Sequence, residues 1–279
     1  MYYILISISA LLFSSQFMFN NGYQKENGSG WDSTVKLTFY TSIIGFVLTL
    51  LVNKFVFEVS FFSFAIAVMY AIVCIVLNYC TIKVFEYANL STYSVFSMIG
   101  GMALPFLYGL MNGEGLKITK IICFFLIMIS ILLMIERGGN SKRAFLYYMG
   151  VFVLNGLVGV LSAFHQSKTA LCVDSGSFLM LTKIVMTVIA LIIMIKTKDF
   201  KMNGKSYTYC CGISGFNSIG NLLLLFSIIH LPASVQYPMV TGGTIVFSTL
   251  IDLIRKENVS KKGIIAALIA FASSIFMAI

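Results

Sequence analysis

The chain has 279 residues, of which 59% are hydrophobic and 10% charged, with a formal net charge of +9 and a mean hydropathy of +0.94. A soluble domain of this length needs far more charged surface, so these values exclude an ordinary soluble protein. Long runs of Ile, Leu, Val, Phe and Met with only three prolines favour membrane-spanning helices over a β-barrel. We therefore predict an all-α polytopic membrane protein.

Ten stretches of the chain approach the length of about 20 mostly apolar residues that a membrane-spanning helix needs. The first stretch is long enough to span and lacks a basic leading region and a clear cleavage site, so we expect no cleavable signal peptide. The connectors are too short to form a soluble domain. In chain order, the predicted spans 1 to 10 are residues 2–20, 33–53, 61–82, 91–111, 117–135, 144–165, 175–195, 206–229, 233–252 and 262–279.

Residues 85–122 have a second version farther along the chain, which indicates an internal duplication. Aliphatic matches carry little weight between apolar helices, whereas matches of Gly, Glu and aromatic residues at one offset are informative. We predict a first repeat in residues 1–140 and a second in residues 141–279, with the seam near Gly138 to Arg143. The pairs at an offset of 141 are Phe85 and Phe226, Leu90 and Leu231, Phe96 and Tyr237, Met98 and Met239, Gly101 and Gly242, and Phe106 and Phe247; a two-residue insertion then brings Glu114 onto Glu257. Upstream, an offset of 142 pairs Gln24 with Gln166, Asp32 with Asp174, Ser33 with Ser175 and Leu37 with Leu179.

The number of spans determines the relation between the two halves. Five predicted spans lie on each side of the seam. Because five is odd, homologous halves inserted in series have opposite orientations in the membrane, which is the arrangement of an inverted repeat. The predicted fold is therefore ten transmembrane helices in two inverted five-helix repeats.

The Lys and Arg residues are unevenly divided between the loops. Thirteen lie in the loops that follow spans 1, 3, 5, 7 and 9, and four lie in the loops that follow spans 2, 4, 6 and 8. The positive-inside rule then predicts that the basic loops are cytoplasmic and that both termini are outside. The net positive charge reflects this rule and the anionic headgroups, so it does not indicate a nucleic-acid partner.

Polar side chains recur at helical spacing on four of the predicted spans. In lipid such side chains must face protein or water, so they indicate either a wet cavity or hydrogen bonds between packed helices. We favour a cavity for the set as a whole, with Gln236 and Tyr237 of span 9 as further contacts. Gly100, Gly101, Gly242 and Gly243 are expected to allow close helix approach. The stripes are Ser9, Gln16 and Asn20 on span 1, Tyr70, Cys74, Asn78 and Thr81 on span 3, Asn155, Ser162 and Gln166 on span 6, and Cys210, Ser214, Asn217 and Asn221 on span 8.

Three ionisable residues are candidates for ion coupling or for a counter-charge. Lys183 lies about 12 Å into span 7 at 1.5 Å per residue, where it either extends to the membrane surface or pairs with an anionic substrate. His165, near the end of span 6, is either structural or exchanges protons. Glu86 either closes span 3 at the membrane interface or faces the mouth of the cavity.

The two halves end in similar ways. Residues Tyr87 to Leu90 lead to Pro105 and Glu114, and residues Ile229 to Leu231 lead to Pro238 and Glu257. With the predicted duplication, this pattern resembles the drug/metabolite transporter superfamily, in particular its EamA-like branch. The resemblance implies a secondary transporter, usually an exporter. Its central cavity would be lined by the first, third and fourth helices of each half.

We expect the solute to be a small metabolite such as an amino acid or a related compound. Spans 1 and 6 contain no Asp or Glu, so the carboxylate exchange of the related small multidrug resistance family has no residue here. A multidrug or cation exporter coupled to protons is an alternative and would depend on Glu86. A non-transporting membrane scaffold or lipid-handling protein is another.

The remaining expectations concern chemistry and assembly. With two histidines and neither a nucleophile elbow nor a metal-ligand cluster, the sequence indicates no enzyme, no metal and no cofactor. The six cysteines are expected to act as small hydrophobic residues. The expected location is the plasma membrane, in contact with lipids. Because the duplication completes a two-half cavity within one chain, we expect a monomer.

Overall fold

The computed structural model describes residues 2–111, 141–168, 170–228, 233–257 and 261–276, together with positions 122, 125, 126, 129, 133 and 259. The regular structure within these residues is entirely α-helical, so the predicted all-α class is confirmed. The nine helices of this part of the chain are α1 (Tyr2–Asn27), α2 (Trp31–Val52), α3 (Phe61–Val84), α4 (Leu90–Met111), α5 (Ser141–Ser167), α6 (Ser175–Thr197), α7 (Gly204–Ile228), α8 (Ala233–Ile254) and α9 (Lys261–Phe276).

Helices α1 to α4 correspond to predicted spans 1 to 4, and α5 to α9 correspond to spans 6 to 10. Span 5, residues 117–135, lies outside the described residues except for isolated positions. Among the described residues, five helices are long and apolar enough to cross a membrane, as expected for a multi-pass membrane protein, and α8 contains a shorter apolar helix, Met239–Ile254. The five long segments are Tyr2–Asn27, Trp31–Val52, Phe61–Val84, Arg143–Ser167 and Ser175–Thr197.

Several helices begin at a polar residue that satisfies the free backbone N–H groups of the first turn. Ser, Asp and Asn favour this position because their side-chain oxygens reach those groups. The need is acute near hydrocarbon, where no water replaces a missing partner. The caps are Ser60, which accepts from Ser63 N (3.1 Å), Asn89 from Thr92 N (3.0 Å), Asp174 from Gly176 N (2.8 Å) and Ser177 N (3.0 Å), and Asn203 from Ser206 N (2.7 Å).

The first helix on each side of the predicted seam packs against helices from the other side. Helix α1 lies against α7 and α8, and α5 lies against α3 and α4. Helix α2 packs against α6 and α7, α3 packs against α6, and α4 packs against α8. Helix α9 covers α8. The described helices therefore form one interleaved bundle.

Small residues permit the closest helix contacts. A Cβ atom added at Gly100 of α4 would lie 2.7 Å from the Cα of Phe152 on α5, and one added at Gly101 would lie 2.9 Å from the Asn155 amide nitrogen. On the other side of the bundle, a Cβ added at Gly243 of α8 would lie 3.0 Å from the Cβ of Ala10. The expected role of these three glycines in close helix approach is confirmed.

The four described loops that are predicted to be cytoplasmic, those after α1, α3, α6 and α8, lie together at one end of the bundle, which we call the basic face. Ion pairs join the end of α1 to the loop between α8 and α9 and to the start of α7, and join α2 to the loop between α6 and α7. Which side of the cell membrane this face occupies stays a prediction. The pairs are Lys25 with Glu257 (2.9 Å), Lys205 with Glu26, and Lys36 with Asp199 (2.6 Å).

At the opposite end, Asp174 joins two helix termini. It caps α6, and its carboxylate accepts a hydrogen bond from the amide of Asn53, which follows α2 (3.3 Å). Burial alone would raise the pKa of Asp174. Hydrogen bonds from Ser177, Gly176 and Asn53 outweigh this effect, so the pKa lies below its ordinary value of 3.8.

We predict that Gly100→Ala destabilises the bundle, because the new methyl group meets the Phe152 backbone, which cannot move aside cheaply. Overpacking of this kind costs about 1–3 kcal/mol. Gly215→Ala is the matched control: Gly215 also lies inside a helix, and nothing lies within 4 Å of the added Cβ. The apparent melting temperature in detergent measures both changes. Equal melting temperatures for the two variants would show that α4 and α5 do not pack this closely.

A second prediction concerns pH. Because the folded state lowers the pKa of Asp174, the stabilisation is present above the ordinary pKa and is lost as the pH falls through the lowered value. Asp174→Ala should therefore cost about 1 kcal/mol at pH 7, the usual cost of losing a cap. The difference from the unaltered protein should shrink below about pH 4.

The measurement is the melting temperature of both proteins against pH. Asp32→Ala removes an aspartate from the first turn of α2, where the cap is Gly30, and serves as the control. A destabilisation by Asp174→Ala that stays constant down to acidic pH would contradict the assignment of Asp174 as an ionised helix cap with a lowered pKa.

Candidate functional site

Amide and hydroxyl side chains from both sides of the seam meet around α2. The amide of Asn217 on α7 donates to the side-chain oxygen of Gln16 on α1 (3.1 Å). The hydroxyl of Ser214, one turn before Asn217, donates to the backbone carbonyl of Thr41 on α2 (2.9 Å). Asn221, which is exposed, donates to the carbonyl of Asn217 (2.8 Å). Three predicted cavity residues of α7 thus lie on one face, where Asn217 contacts α1 and Ser214 contacts α2.

Helix α3 joins this group through Asn78, whose amide donates to the hydroxyl of Thr38 on α2 (3.1 Å). One turn farther along α2, Ser42 is fully buried, and its hydroxyl has no hydrogen-bond partner among the described residues. We call this group the α2 polar cluster and define it as Gln16, Thr38, Thr41, Ser42, Asn78, Ser214 and Asn217.

Lys183 of α6 lies against α2, one turn beyond the polar cluster. Its side chain passes over Gly45, where an added Cβ would lie 3.3 Å from Cε and 3.7 Å from Nζ. Met180 and Met186, one turn away on either side, are almost fully buried. The side chain therefore points into the bundle, and the alternative in which it extends to the membrane surface is disfavoured.

His165 belongs to a separate group near the end of the bundle opposite the basic face. Its ring is fully buried and stacks on Phe178, with centroids 4.0 Å apart. Nε2 lies 2.9 Å from the hydroxyl of Ser63, which also accepts from the backbone N–H of Val173 (3.0 Å). Nδ1 has no partner among the described residues. Through these contacts His165 joins α3, α5 and the start of α6, which is the arrangement that the structural alternative predicts.

Tyr70 and Ser162 lie close to this aromatic group. The Tyr70 ring makes an edge contact with Phe178, with centroids 5.5 Å apart. Ser162 of α5 lies close to its hydroxyl, so Tyr70 and Ser162 come together between α3 and α5.

Asn155 and Asn20 occupy other parts of the bundle. The amide of Asn155 donates to the backbone carbonyl of Ser97 at 2.6 Å, so it ties α5 to α4. Asn20 is buried on α1, one turn after Gln16. The side chains of Gln236 and Tyr237 lie outside the described part of the structure.

Glu86 lies at the basic face and not inside the bundle. It follows the end of α3 and pairs with Lys83 at 3.3 Å. Lys83 in turn donates to the hydroxyl of Ser29, between α1 and α2 (3.1 Å). This position matches the interfacial alternative for Glu86.

The buried carboxylate of Asp252 is a residue that the sequence analysis missed. It lies near the end of α8 and accepts the backbone N–H groups of Leu90 (3.3 Å) and Ser91 (2.6 Å) at the start of α4. The Ser91 hydroxyl also lies 2.9 Å from that of Thr249. An acidic residue within an otherwise apolar helix was the available signal.

Comparison with known proteins finds likeness in structure only. No family model matches the chain, and no curated protein matches it. Among solved structures, 27 chains match. One of them, a protein known by its crystal structure, superimposes with a TM-score of 0.63 at 12% identity, over 98% of this chain and 94% of its own. At this identity, the likeness shows a shared fold and nothing about activity.

We predict that Gln16 and Asn217 stabilise the bundle as a pair. Hydrogen bonds between membrane helices contribute about 0.6 kcal/mol on average. In a double-mutant cycle of Gln16→Ala and Asn217→Ala, the two costs should fall short of additivity by about this amount, because either substitution removes the same bond. The free energy of unfolding in mixed micelles measures the cycle. Strict additivity would show that the two amides do not interact.

Proposed function

We propose that the chain is a secondary transporter with ten transmembrane helices in two inverted five-helix repeats, similar to the EamA-like branch of the drug/metabolite transporters. It would move a small metabolite, such as an amino acid or a related compound, across the plasma membrane by alternating access, usually in the direction of export. The polar cluster between the halves would hold the solute.

The lengths of the helices support the duplication. Helices α1 and α5 have 26 and 27 residues, α2 and α6 have 22 and 23, and α3 and α7 have 24 and 25. Helices α4 and α8 each have 22. Matched lengths in the same order are expected for two copies of one unit.

The helix contacts support a two-fold relation between the halves. In the proposed duplication, α1 to α4 are the counterparts of α5 to α8. Replacing each helix by its counterpart converts the contact of α1 with α7 into that of α5 with α3. It also converts the contact of α1 with α8 into that of α5 with α4. It turns α3 with α6 into α7 with α2, and leaves the pairs α2 with α6 and α4 with α8 unchanged. All of these contacts occur. An inverted repeat produces such a pattern, with solute sites near mid-membrane at the repeat interface.

The observation that carries the proposal is the α2 polar cluster. It combines Gln16 and Asn78 from the first half with Ser214 and Asn217 from the second. Amides both donate and accept hydrogen bonds, so the cluster suits an uncharged or zwitterionic solute. A solute that replaced the bond between Gln16 and Asn217 would loosen α1 from α7, which couples binding to a rocking motion of the halves.

The cation-exporter alternative requires a carboxylate that faces the solute. Glu86 pairs with Lys83 at the basic face, and Asp252 is engaged with the N-terminus of α4. Neither arrangement favours this alternative. A scaffold or lipid-handling protein would use the same polar contacts for packing alone, and solute binding separates it from a transporter.

The test is the melting temperature of the purified protein with a panel of amino acids, nucleosides, polyamines and quaternary cations. A bound solute stabilises by about 2.7 kcal/mol at a hundredfold excess over Kd. We expect a shift with a zwitterionic metabolite and its loss in Asn217→Ala.

Asn203→Ala is the matched control, because Asn203 caps α7 away from the polar cluster and should lower stability without removing the shift. A shift with cations alone would favour the exporter of cations. No shift with any solute would contradict the transporter.

A further inference from the structure

Lys183 places a charged amine inside the bundle. It is only half-buried as a residue, yet its neighbours one turn away, Met180 and Met186, are buried, so its side chain lies among helices. An ammonium group in such a place is costly unless a partner compensates it. The partner is either another residue of the protein or a molecule that enters the bundle.

The described acidic residues are all engaged or placed elsewhere. The chain has ten, and eight are described, because Glu114 and Glu136 lie outside the described residues. None of the eight pairs with Lys183. Glu26, Glu86, Asp199 and Glu257 pair with lysines of the basic face, Asp174 and Asp252 accept backbone N–H groups, Asp32 lies in the first turn of α2, and Glu58 lies between α2 and α3.

The space for Lys183 comes from a glycine in the other half. A Cβ added at Gly45 would lie 3.3 Å from Cε of Lys183, which is a tight contact, and 3.7 Å from Nζ, so the absence of a side chain at Gly45 leaves room for the lysine stem. At the repeat offset of 142, Lys183 corresponds to Thr41, and Gly45 corresponds to Thr187. Lys183 of α6 and Gly45 of α2 therefore meet in the contact between these helices, whereas their counterparts in the repeat are both threonines. The combination of a charged residue and a glycine beside it thus occurs in only one of the two symmetry-related positions.

A second polar group lies within one turn of Gly45. Ser42 is fully buried, and its hydroxyl has no partner among the described residues. An unpaired buried hydroxyl is costly in the same way as an unpaired charge, although less so. Lys183 lies over Gly45, one helical turn from Ser42. An ammonium and a hydroxyl donor in this arrangement suit an oxyanion, which accepts from both.

We infer that Lys183 and Ser42 form an anion subsite, which binds the carboxylate of the transported solute beside the α2 polar cluster. The inference rests on the proposed transport function and defines its substrate class: the metabolite carries a carboxylate, which contacts Lys183, while its other polar groups contact the amides of the cluster. Cys74 of α3 lies near Lys183 and packs against the apolar cluster to which Val185 and Met186 of α6 belong, so its reactivity reports on the charge at this position.

The test uses two thiol reagents of similar size and opposite charge, 2-sulfonatoethyl methanethiosulfonate and 2-(trimethylammonium)ethyl methanethiosulfonate. Modification of the Cys74 peptide of the full chain in nanodiscs is followed by mass spectrometry. The sulfonate stands in for the carboxylate. We expect the ratio of anionic to cationic rates to fall at least about tenfold in Lys183→Met, because an interior charge acts at low dielectric. Lys183→Arg, which keeps the charge, should keep the ratio.

Lys168→Met is the matched control, because it removes the same charge from an exposed position at the end of α5. The ratio at Cys74 should not change in this variant. A ratio that is unchanged in Lys183→Met, or a Cys74 that neither reagent modifies, overturns the anion subsite.

The solute panel described above is independent of this experiment. Stabilisation by a metabolite without a charge preference at Cys74 would remove the subsite and leave the transporter. A charge preference without stabilisation by any solute would leave the subsite and remove the metabolite carrier. Elution of each variant as a single species excludes misfolding as the cause, and Lys183→Arg provides a second variant should Lys183→Met fail to fold.

Discussion

The first helix on each side of the predicted seam packs against helices from the other side, and the rest of the structure depends on this constraint. Apolar lipid gives helices no hydrophobic reason to associate, so close packing and hydrogen bonds must hold them. Ser9 and Ser14 of α1 donate to the backbone carbonyls of Gly220 (2.7 Å) and Thr244 (2.9 Å). At the matching contact, Gly100 allows α5 to approach the backbone of α4. Neither half completes its packing alone, and the polar cluster lies where the two meet.

The same physical requirement explains why packing and binding are difficult to separate in this molecule. Each polar group in hydrocarbon needs a partner, whether or not a solute is involved. Asn155 and His165 meet this need through fixed contacts between neighbouring helices. The amides of Gln16 and Asn217 also bond to each other, but they do so across the boundary between halves. A bond in that position is one that a relative movement of the halves would break.

Charged residues are compensated differently at the basic face and in the interior of the bundle. Acidic residues of the basic face neutralise lysines at helix ends, where water lowers the cost of both charges. Asp252 is buried and compensated by two backbone N–H groups of α4, so it joins the halves near the same face. Lys183 differs from these groups, since no described acid reaches it. The carboxylate of the inferred solute would supply this compensation.

The sequence determined which segments are helices and which positions share a face. Hydropathy does so because a span needs about 20 apolar residues, and α2, α3 and α6 begin and end close to their predicted limits. Periodicity does so because residues three or four positions apart lie on one side of a helix, as Ser214 and Asn217 do.

Tertiary structure decided what those faces contact. Gln16 and Asn217 are 201 positions apart, and Asp252 reaches a helix start 161 positions away, separations that no local pattern encodes. The direction of Lys183 likewise depends on a glycine in another helix. The spacing of a polar residue along its own helix fixes the face on which it lies, whereas its partner follows from how the helices pack.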